Sequence, residues 1–521
     1  MKYTYTLPSL VEQSAQKYPN KVAFKCLKHS ITYGDLEQKM HQIANLLIDL
    51  GVKKGDRVGI FMARCSDTAA AMYGIMAAGA VYVPINPSQP VSRTHFLIED
   101  CGIQHLITNK DQKRNIVNVA TEKSGLKTVI GTQTELPINT ISWEEIAQQP
   151  TTKANISILE EDTAYILYTS GSTGTPKGIM HSHYSGMAYA KLCAEVYELT
   201  ENDILGNHAP IYFDISTLGF FAAPLVGATT IVASEAHIKM PASLAQLIEK
   251  EKITVWYSVP LALMQMMQRG GLESRDMSAL RWVIFAGELF PTKHLRNLMN
   301  TWSHASFSNA YGPTETNVCT YYNLPEVPKT DDPISIGKSW GNTEMLILNS
   351  EDKEDKTGEL LIRSATVMQA YWGRPDLNEK AFYKKENSCG IEQKFYRTGD
   401  LVRQEADGNL SFLGRKDRQV KTRGFRVELD EVSAALLKHQ AVEEVAVYTK
   451  KDKEDQNLIE AVLILKKEAK TTEKDLQTHL KQHLQWYALP QKLLITKEFP
   501  RTPTGKIDLN QLSNYGVVEH E

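Results

Sequence analysis

The order of apolar and polar positions along the chain predicts helices that alternate with buried strands. Leu36, Met40, Ile43, Leu47 and Leu50 recur at helical spacing, which predicts a helix with one buried face that ends at Gly51. Short apolar runs predict strands at residues 57–62, 81–85, 105–108, 164–167, 254–258, 282–286 and 359–363. This alternation is typical of an α/β fold with layered sheets, in which ligand-binding loops follow the carboxyl ends of strands.

The same pattern restarts on a smaller scale after Gly414. It predicts helices at residues 429–439 and 473–484 and strands at 443–449 and 459–465, which is enough for a small α+β domain of about 100 residues. The charged stretch around Lys416-Asp417 suits a hinge. We therefore predict a large N-terminal domain, residues 1–415, and a small C-terminal domain, residues 416–521.

Composition fits this organisation and narrows the class of protein. A chain of 521 residues exceeds what one hydrophobic core usually supports. With 42% apolar residues, 23% charged residues and a net charge of −3, the chain resembles a soluble globular protein and offers no electrostatic attraction for nucleic acid or an anionic membrane. The most apolar window, residues 69–85, is broken by Gly74, Gly79 and Pro84, so it predicts a buried helix followed by a strand and not a membrane span.

Two further features indicate the compartment. The first residues, Met1-Lys2-Tyr3-Thr4, lack the apolar core of a signal peptide. The six cysteines show no metal-like or redox-like spacing: Cys26, Cys65, Cys101, Cys193, Cys319 and Cys389. In a chain of this length that distribution predicts free thiols in the reducing cytoplasm.

The first candidate for chemistry is the loop at residues 168–178, Tyr-Thr-Ser-Gly-Ser-Thr-Gly-Thr-Pro-Lys-Gly. Its glycines allow backbone N–H groups to approach an anion, its hydroxyls add rotatable donors, and Lys177 adds a positive charge. The loop differs from a Walker A motif because Pro176 precedes the lysine and Gly178 follows it. It predicts a polyphosphate-binding loop, and a polar surface loop is the alternative.

Four more clusters occur at residues 309–316 (Asn-Ala-Tyr-Gly-Pro-Thr-Glu-Thr), 396–401 (Tyr-Arg-Thr-Gly-Asp-Leu), 414–426 and 500–508. Together, in this order, the five motifs resemble those of the adenylate-forming superfamily, which includes acyl-CoA synthetases, luciferases and peptide-synthetase adenylation domains. The resemblance extends from about Leu7 to Leu512. It implies a large N-terminal α/β domain, a small mobile C-terminal lid, and activation of a carboxylate by attack on the α-phosphate of ATP.

The resemblance also implies residue roles. Lys506 would bridge the substrate carboxylate and ATP oxygens, Thr314 would contact the α-phosphate, and Glu315 would bind Mg²⁺. Tyr311 would stack on adenine and Asn309 would contact its amino edge, while Asp400 and Arg415 would bind the ribose. The nucleotide-binding set is Thr169, Ser170, Gly171, Ser172, Thr173, Gly174, Lys177, Gly287, Asn309, Ala310, Tyr311, Asp400 and Arg415.

In such enzymes a second half-reaction transfers the acyl group to a thiol after the lid has rotated. Asp417 resembles the hinge residue, and Gly424 lies where a pantetheine arm would pass. No carrier-type Leu-Gly-Gly-x-Ser motif follows Lys506 before Glu521, so we expect the phosphopantetheine thiol to come from a separate carrier protein.

Asp214, in Phe213-Asp214-Ile215-Ser216, matches the aspartate that holds the α-ammonium group in amino-acid-activating domains, and its apolar neighbours predict burial. Motif spacing adds an uncharged lining: Ile215, Leu218, Tyr257, Ile284, Ala286, Ala310, Val318 and Cys319. This lining predicts a small to medium apolar amino acid. Residues 208–219 resemble the matching segment of stand-alone prolyl-AMP ligases, which implies L-proline, although valine, isoleucine and pipecolate stay open.

Two other functions compete with this interpretation. An acyl- or aryl-CoA ligase of the same superfamily would have no amine for Asp214 to hold. A non-catalytic nucleotide-binding regulator would have no need of a lysine that serves chemistry alone, yet Lys177, Glu315, Asp400, Arg415 and Lys506 are all present.

Overall fold

The computed structural model of the chain describes residues 4–171, 175–467 and 469–501, together with Ile507 and Leu512. It forms two compact units. The first holds the described residues of Met1–Pro87, His95–Tyr168 and Gly178–Lys416. The second holds those of Asp417–Glu521 and the short segments Ser88–Thr94 and Thr169–Lys177.

The helices and strands follow one another along the whole chain. The strands are β1 (Val22–Cys26), β2 (His29–Thr32), β3 (Arg57–Phe61), β4 (Val81–Pro84), β5 (His105–Thr108), β6 (Thr128–Ile130), β7 (Asn139–Ile141), β8 (Thr163–Thr169), β9 (Lys177–Ser182), β10 (Ile204–Asn207), β11 (Thr229–Val232), β12 (Val255–Ser258), β13 (Trp282–Phe285), β14 (Ser306–Tyr311), β15 (Thr320–Asn323), β16 (Lys338–Ser339), β17 (Thr343–Leu348), β18 (Thr357–Ser364), β19 (Ala370–Tyr371), β20 (Phe382–Glu386), β21 (Glu392–Gln404), β22 (Leu410–Arg415), β23 (Gln419–Thr422), β24 (Phe425–Glu428), β25 (Val442–Lys451), β26 (Asn457–Leu465) and β27 (Lys492–Thr496). The α-helices are α1 (Pro8–Lys17), α2 (Tyr33–Asp49), α3 (Asp67–Ala77), α4 (Val91–Cys101), α5 (Lys113–Val119), α6 (Trp143–Ile146), α7 (His183–Val196), α8 (Ala223–Val226), α9 (Glu235–Lys239), α10 (Pro241–Lys250), α11 (Pro260–Arg269), α12 (Thr292–Thr301), α13 (Pro375–Ala381), α14 (Leu429–Leu437) and α15 (Glu473–Lys481).

Three sheets build the first unit. A nine-stranded sheet has the order β16-β15-β14-β13-β12-β10-β11-β1-β2, and an eight-stranded sheet has the order β19-β9-β8-β4-β3-β5-β6-β7. Strands β10 to β14 pair in parallel and end on the same edge, where the loop after β14 carries Thr314 and Glu315. The third sheet has the order β17-β18-β21-β20, with β22 paired to β21.

The predicted α/β class is confirmed, and most predicted elements occur within a few residues of their expected ends. The predicted helix with Leu36 and Leu47 on its buried face is α2, with Thr32 as its N-cap and Gly51 in the left-handed region at φ 84°. The alternation did not predict that residues 343–415 form an antiparallel sheet. Residues 359–363 were correctly predicted as a strand, but periodicity does not reveal which strands pair.

The second unit has a three-stranded sheet, β25-β26-β27, and a two-stranded hairpin, β23-β24. The sequence predicted β25, β26, α14 and α15 but missed the hairpin and β27. Its core is a cluster of buried apolar side chains that includes Val432, Leu436, Leu463, Leu476 and Leu480. The predicted helices are shorter than expected, since α14 ends at Leu437 and α15 ends at Lys481.

Helices α2 and α3 pack so closely in the first unit that glycine is required at one contact. A β-carbon placed on Gly74 of α3 would lie 2.5 Å from Cβ of Ile43 on α2. Cβ of Ile43 is fixed to the backbone, so relief would need the two helices to separate. A β-carbon placed on Gly186 of α7 would meet the terminal methyl groups of Leu7, the nearer one at 2.9 Å, and these methyl groups can rotate away.

We predict that Gly74→Ala destabilises the first unit by about 1–3 kcal/mol, because overpacking a close helix contact outweighs the gain of about 0.5–1 kcal/mol in helix propensity. Chemical denaturation followed by circular dichroism would measure the loss. Gly186→Ala is the matched control and should change the midpoint little. Equal midpoints for the two variants would contradict this account of the α2–α3 contact.

Candidate active site

Asp400 forms a buried cluster with Tyr311 and Arg415 in the first unit. Strands β21 and β22 pair so that Asp400 lies opposite Arg415, whose Nη1 donates to Oδ1 at 2.6 Å. The Tyr311 hydroxyl, at the end of β14, donates to Oδ2. Only 7% of the Asp400 side chain and 11% of the Arg415 side chain are exposed, so the ion pair is largely shielded from water.

The protonation state of Tyr311 follows from this surrounding. Burial, together with the negative charge of Asp400, raises the pKa of the Tyr311 hydroxyl well above its usual range. The hydroxyl therefore stays protonated and donates a hydrogen bond to the carboxylate. The two carboxylate oxygens of Asp400 thus accept hydrogen bonds from two different residues. Arg415 belongs to the antiparallel sheet and Tyr311 to the nine-stranded sheet.

Glu315 is enclosed in the loop after β14. Its side chain is buried, its Oε1 accepts a hydrogen bond from the Tyr371 hydroxyl at 2.8 Å, and its backbone carbonyl accepts from Met368 N at 2.7 Å. The Tyr371 hydroxyl lies 3.3 Å from that of Tyr396. A carboxylate inside a protein requires such donors, and they fix where its oxygens point.

The turn that carries Thr314 and Glu315 depends on Gly312. A β-carbon at Gly312 would lie 2.3 Å from the carbonyl oxygen of Asn317, so only glycine lets the loop close. Asn317 itself adopts a left-handed conformation with φ 58°, and its amide donates to the Thr217 hydroxyl at 3.0 Å. The close approach at Gly312 and the left-handed conformation of Asn317 therefore fix the two ends of the loop.

His181 holds the same loop from β9. Its Nε2 lies 2.9 Å from the Thr314 carbonyl oxygen and its Nδ1 lies 3.3 Å from the Ser185 hydroxyl. Burial lowers the pKa of His181 to about 4, so the ring is neutral at neutral pH. Because a carbonyl only accepts, the single ring proton lies on Nε2.

Asp214 begins a 3-10 turn, Asp214–Ser216, and is half-buried instead of sealed in the core. Its Oδ1 accepts from Ile215 N at 2.8 Å. Burial raises the pKa values of Tyr165 and Tyr257 above their usual range, and the negative charge of Asp214 raises both further. The carboxylate therefore lies within electrostatic reach of two buried hydroxyls.

Seven of the eight predicted lining residues pack in one apolar cluster of the first unit. Leu218, Tyr257, Ile284, Ala286, Ala310 and Val318 are buried members of it, and Ile215 packs against it. Cys319 is also buried, in the neighbouring cluster with Tyr311, and its thiol donates to the Tyr311 carbonyl. None of these eight side chains is charged.

Part of the predicted phosphate-binding loop is described. Thr169 ends β8, and its buried Oγ1 has no hydrogen-bond partner among the described residues. Gly171 is required because a β-carbon there would lie 2.1 Å from the Thr175 carbonyl oxygen. Ser170 is buried, and Lys177 begins β9. The expected contacts of Ser172, Thr173 and Gly174 lie outside the described residues.

Two more residues that were predicted to contact the nucleotide lie in the nine-stranded sheet or directly after one of its strands. Gly287 follows β13 in the left-handed region at φ 99°, and its β-carbon position faces Val259 and Ile215. The Asn309 amide donates to the Ser335 carbonyl oxygen at 2.8 Å. This hydrogen bond fixes the orientation of the Asn309 side chain on β14.

The residues predicted for the second half-reaction lie in the second unit. Asp417 Oδ1 accepts from Gln419 N at 3.1 Å. Gly424 has φ 78° and follows Arg423 at φ 54°, so the pair forms the tight turn between β23 and β24. The turn is by itself a reason for glycine at this position. Lys506 lies outside the described residues.

These side chains are compatible with ATP and Mg²⁺. The buried Thr169 hydroxyl has no hydrogen-bond partner among the described residues, so it can donate to an anion. The backbone at Gly171 lies too close to the Thr175 carbonyl oxygen for any side chain, which also suits an anion-binding loop. No cluster of three or more His, Cys, Asp or Glu side chains that could hold a metal occurs in the described part of the chain. Mg²⁺ in nucleotide sites uses one or two carboxylates, water and the phosphates, so Glu315 would suffice on the protein side.

Comparison with known proteins identifies the family. The model of the AMP-binding enzyme family matches residues 11–372, and that of the AMP-binding enzyme C-terminal domain matches residues 431–506. The chain belongs to the AMP-binding enzyme family. It is an AMP-forming ligase, as the sequence motifs indicated.

Individual members of the family are similar over nearly the whole chain. An L-proline--[L-prolyl-carrier protein] ligase from Pseudomonas fluorescens is 33% identical over 499 residues, covering 95% of this chain and 96% of the relative. One from Streptomyces coelicolor is 32% identical over 495 residues, covering 92% and 91%. The chain also matches segments of longer synthase subunits, of which it spans only 6–19%.

A solved member of the fold supports the architecture. The amide bond synthetase McbA from Marinactinospora thermotolerans superposes with a TM-score of 0.85 at 20% identity, covering 98% of this chain and 99% of that chain. At this identity the similarity concerns the fold alone. No helix among the described residues is both long and apolar enough to cross a bilayer.

The sequence motifs did not point to Tyr371, His181 or Tyr165, three side chains that surround the site. Each is a single residue on a strand, β19, β9 or β8, and carries no motif of its own. Tyr371 contacts Glu315 and His181 contacts Thr314 on the loop after β14, and the ring of Tyr165 stacks on that of His181.

We predict strong coupling between Asp400 and Arg415. Asp400→Ala should destabilise the first unit by about 3–5 kcal/mol, since it leaves a shielded guanidinium without its carboxylate. Arg415→Ala combined with Asp400→Ala should cost less than the sum of the two single losses, measured by a double-mutant cycle in chemical denaturation.

The exposed pair Arg363–Glu344, on β18 and β17 of the same sheet, is the matched control. Its atoms lie 2.8 Å apart, but the side chains are 47% and 50% exposed, so its coupling should be about 0.2–1 kcal/mol. A coupling for Asp400–Arg415 as small as that of the control would contradict the importance of the buried pair.

Proposed function

We propose that the protein activates L-proline with ATP as prolyl-AMP and then transfers the prolyl group to the phosphopantetheine thiol of a separate carrier protein. The observation that carries this proposal is a half-buried carboxylate, Asp214, next to Ile215, which packs against a buried cluster that holds six of the predicted lining residues, none of them charged. Two relatives named as L-proline--[L-prolyl-carrier protein] ligases support it. The proposed location is the cytoplasm, which suits the six free cysteines.

Recognition of the amino acid follows from charge and shape. The secondary ammonium group of proline offers two N–H donors, and Asp214 provides an ionised acceptor. The ring of proline would pack against Tyr257, Ile284 and Ala286, which are buried. A fatty or aryl acid has no amine for Asp214 to hold, which disfavours the acyl- or aryl-CoA ligase.

In the first half-reaction, the proline carboxylate attacks the α-phosphate, and pyrophosphate leaves with the electron pair of the broken P–O bond. Thr314 would donate to the α-phosphate and Lys506 would offset the charge of the two approaching anions. Asp400 and Arg415 would position the ribose. Glu315 would hold Mg²⁺, which supplies positive charge at the phosphates when bound.

In the second half-reaction, the carrier thiolate attacks the carbonyl carbon of prolyl-AMP, a thioester forms, and AMP leaves. Lys506 would serve only the first step. Asp417 would act as the hinge and Gly424 would border the pantetheine path, both proposals that rest on family resemblance.

We predict that L-proline gives the largest signal in ATP–pyrophosphate exchange across the twenty amino acids and pipecolate. Asp214→Ala should lower catalytic efficiency with proline by about one to two decades, because a hydrogen bond to a charged group contributes about 1.5–3 kcal/mol. A stronger signal from a charged amino acid, or from an acid without an amine, would contradict the assignment.

Asp214→Asn is the matched control for the charge. Its side-chain oxygen can still accept from Ile215 N, so the local turn is kept while the negative charge is lost. A loss as large as that of Asp214→Ala would show that the charge holds the amine. Wild-type efficiency in both variants would show that another group binds it.

We predict that Lys506 is needed for the first half-reaction and Gly424 for the second. Lys506→Ala should strongly slow adenylate formation, while transfer from chemically supplied prolyl-AMP to a cognate carrier stays within a few-fold. Gly424→Trp should spare exchange and block transfer. Each half-reaction would be measured separately for each variant.

Gly424→Asn is the control for the turn, since asparagine tolerates the left-handed region better than other residues. It should preserve the hairpin and retain more transfer than the tryptophan variant. Equal loss in both half-reactions for a folded Lys506→Ala variant would contradict the division between the two steps.

A further inference from the structure

Asp100, in the last turn of α4, is a carboxylate of the first unit that joins three distant segments of the chain. The Tyr168 hydroxyl, on β8, donates to its Oδ2. The Arg374 guanidinium, which follows β19, donates from Nη2 to its Oδ1 at 2.6 Å. Only 11% of the Asp100 side chain is exposed, so water screens these contacts little. Each carboxylate oxygen therefore holds one side chain from another strand or its flank.

The contact with Tyr168 fixes the first end of the predicted phosphate-binding loop, residues 168–178. The Cys101 sulfur lies 3.2 Å from the same hydroxyl. Burial raises the pKa of the Cys101 thiol to about 12, so the thiol stays protonated. Because the hydroxyl proton of Tyr168 is directed at Asp100, the thiol donates to the hydroxyl oxygen. Two neighbouring residues of α4 thus hold the side chain at which the loop begins.

The other end of the loop, Gly178, is linked to Asp100 through Trp372. The Gly178 carbonyl oxygen accepts from Trp372 N at 2.8 Å, which extends the pairing of β19 with β9. The indole Nε1 of Trp372 donates to the backbone carbonyl of Asp100 at 2.8 Å. The ring of Tyr168 also lies against Gly178, where a β-carbon would be 3.1 Å from its Cζ. Both ends of the loop are therefore connected to one residue of α4.

Fixed ends matter to a loop that has to close around an anion. Ordering a flexible segment on binding costs conformational entropy, and preorganisation lowers that cost. If only a fraction of the molecules hold the loop in its binding conformation, the apparent Kd rises by the inverse of that fraction. Thr169 and Lys177, which carry a hydroxyl and a positive charge, directly follow and precede the two fixed ends in the chain.

We propose that Asp100 is a positioning residue for the polyphosphate of ATP, because it holds Tyr168 at the first end of the loop and the segment of Trp372 and Arg374 at the second. This inference rests on the proposed function, since it takes the loop as the site of the β- and γ-phosphates. AMP lacks these phosphates, so its affinity reports on the rest of the nucleotide site. A loss that is confined to ATP is the expected signature.

Removing the carboxylate should weaken ATP binding selectively. Asp100→Ala should raise the Kd for Mg·ATP in calorimetry about tenfold, as expected if the fraction of molecules with a binding-competent loop falls about tenfold. The Kd for AMP should stay within about twofold. Asp100→Asn keeps the size of the side chain and one acceptor oxygen, so it should raise the Kd for Mg·ATP less than the alanine variant does.

Asp203→Ala is the matched control for a general loss of stability. Asp203 is a 5% exposed carboxylate of the first unit, and its Oδ1 accepts from Arg281 Nε at 2.7 Å. It precedes β10, at the amino end of a strand in the nine-stranded sheet. This variant should lower Tm as Asp100→Ala does, yet leave the Kd values of both nucleotides within about twofold, because the loop ends keep their contacts.

Each contact of Asp100 can be removed from the partner side. Tyr168→Phe removes the hydroxyl, Arg374→Gln the charged donor and Trp372→Phe the indole donor. Each should raise the Kd for Mg·ATP by about two- to fivefold without changing that for AMP. Tyr168→Leu also removes the ring that lies against Gly178 and should exceed Tyr168→Phe. Asp100→Ala combined with Tyr168→Phe should match Asp100→Ala alone, since the hydroxyl acts through the carboxylate.

Two results would overturn the proposal. One is an equal rise in the Kd for AMP and for Mg·ATP in Asp100→Ala, which would mark a purely structural role. The other is an unchanged Kd for Mg·ATP in a folded Asp100→Ala variant.

Failure of the proposed function is recognised separately, because calorimetry with Mg·ATP needs no amino acid. If proline fails in pyrophosphate exchange while Asp100→Ala loses ATP affinity alone, the proline assignment falls and the role of Asp100 stands. If the wild-type protein binds AMP but not Mg·ATP, both are overturned.

Discussion

The first unit depends on one buried carboxylate that two sheets must share. Asp400 belongs to the antiparallel sheet, as does Arg415, but the hydroxyl that completes its coordination comes from Tyr311 on the nine-stranded sheet. A shielded carboxylate without donors would be too costly, so the two sheets are held in the one arrangement that satisfies both oxygens. The edge of β14, from which the Thr314–Glu315 loop extends, is fixed by the same requirement.

That loop is where the contacts of the two proposed substrate sides meet. Tyr371 holds the Glu315 carboxylate, His181 holds the Thr314 carbonyl, and Asn317 reaches toward the turn of Asp214. Gly312 allows these contacts because any side chain there would collide with the backbone that returns at Asn317. Adenylation requires a carboxylate and a phosphate to be oriented together, and a rigid shared loop reduces the entropy lost when both bind.

Sequence patterns predicted the positions of helices and strands better than the pairing of the strands. The spacing of Leu36 and Leu47 predicted α2, and the apolar runs predicted strands such as β3, β5 and β13 nearly to the residue. The pairing of β18 with β17 and β21 in an antiparallel sheet was not predicted, because periodicity records which face is buried and not which strand lies beside it. Seven of the eight residues predicted to line the pocket pack in one cluster, with Cys319 in another. Their role as a lining stays a prediction, as do the positions of Ser172, Thr173, Gly174 and Lys506.

The sequence by itself determined the family and the chemical types of side chain available, because motifs and apolar spacing are local properties of the chain. Only the tertiary structure decided that Tyr165, His181 and Asn317, which come from β8, β9 and the loop after β14, meet around Thr314 and Thr217. Contacts between residues more than 100 positions apart depend on strand order, register and the direction of each side chain. Those quantities are set when the sheets pack, and no single segment encodes them.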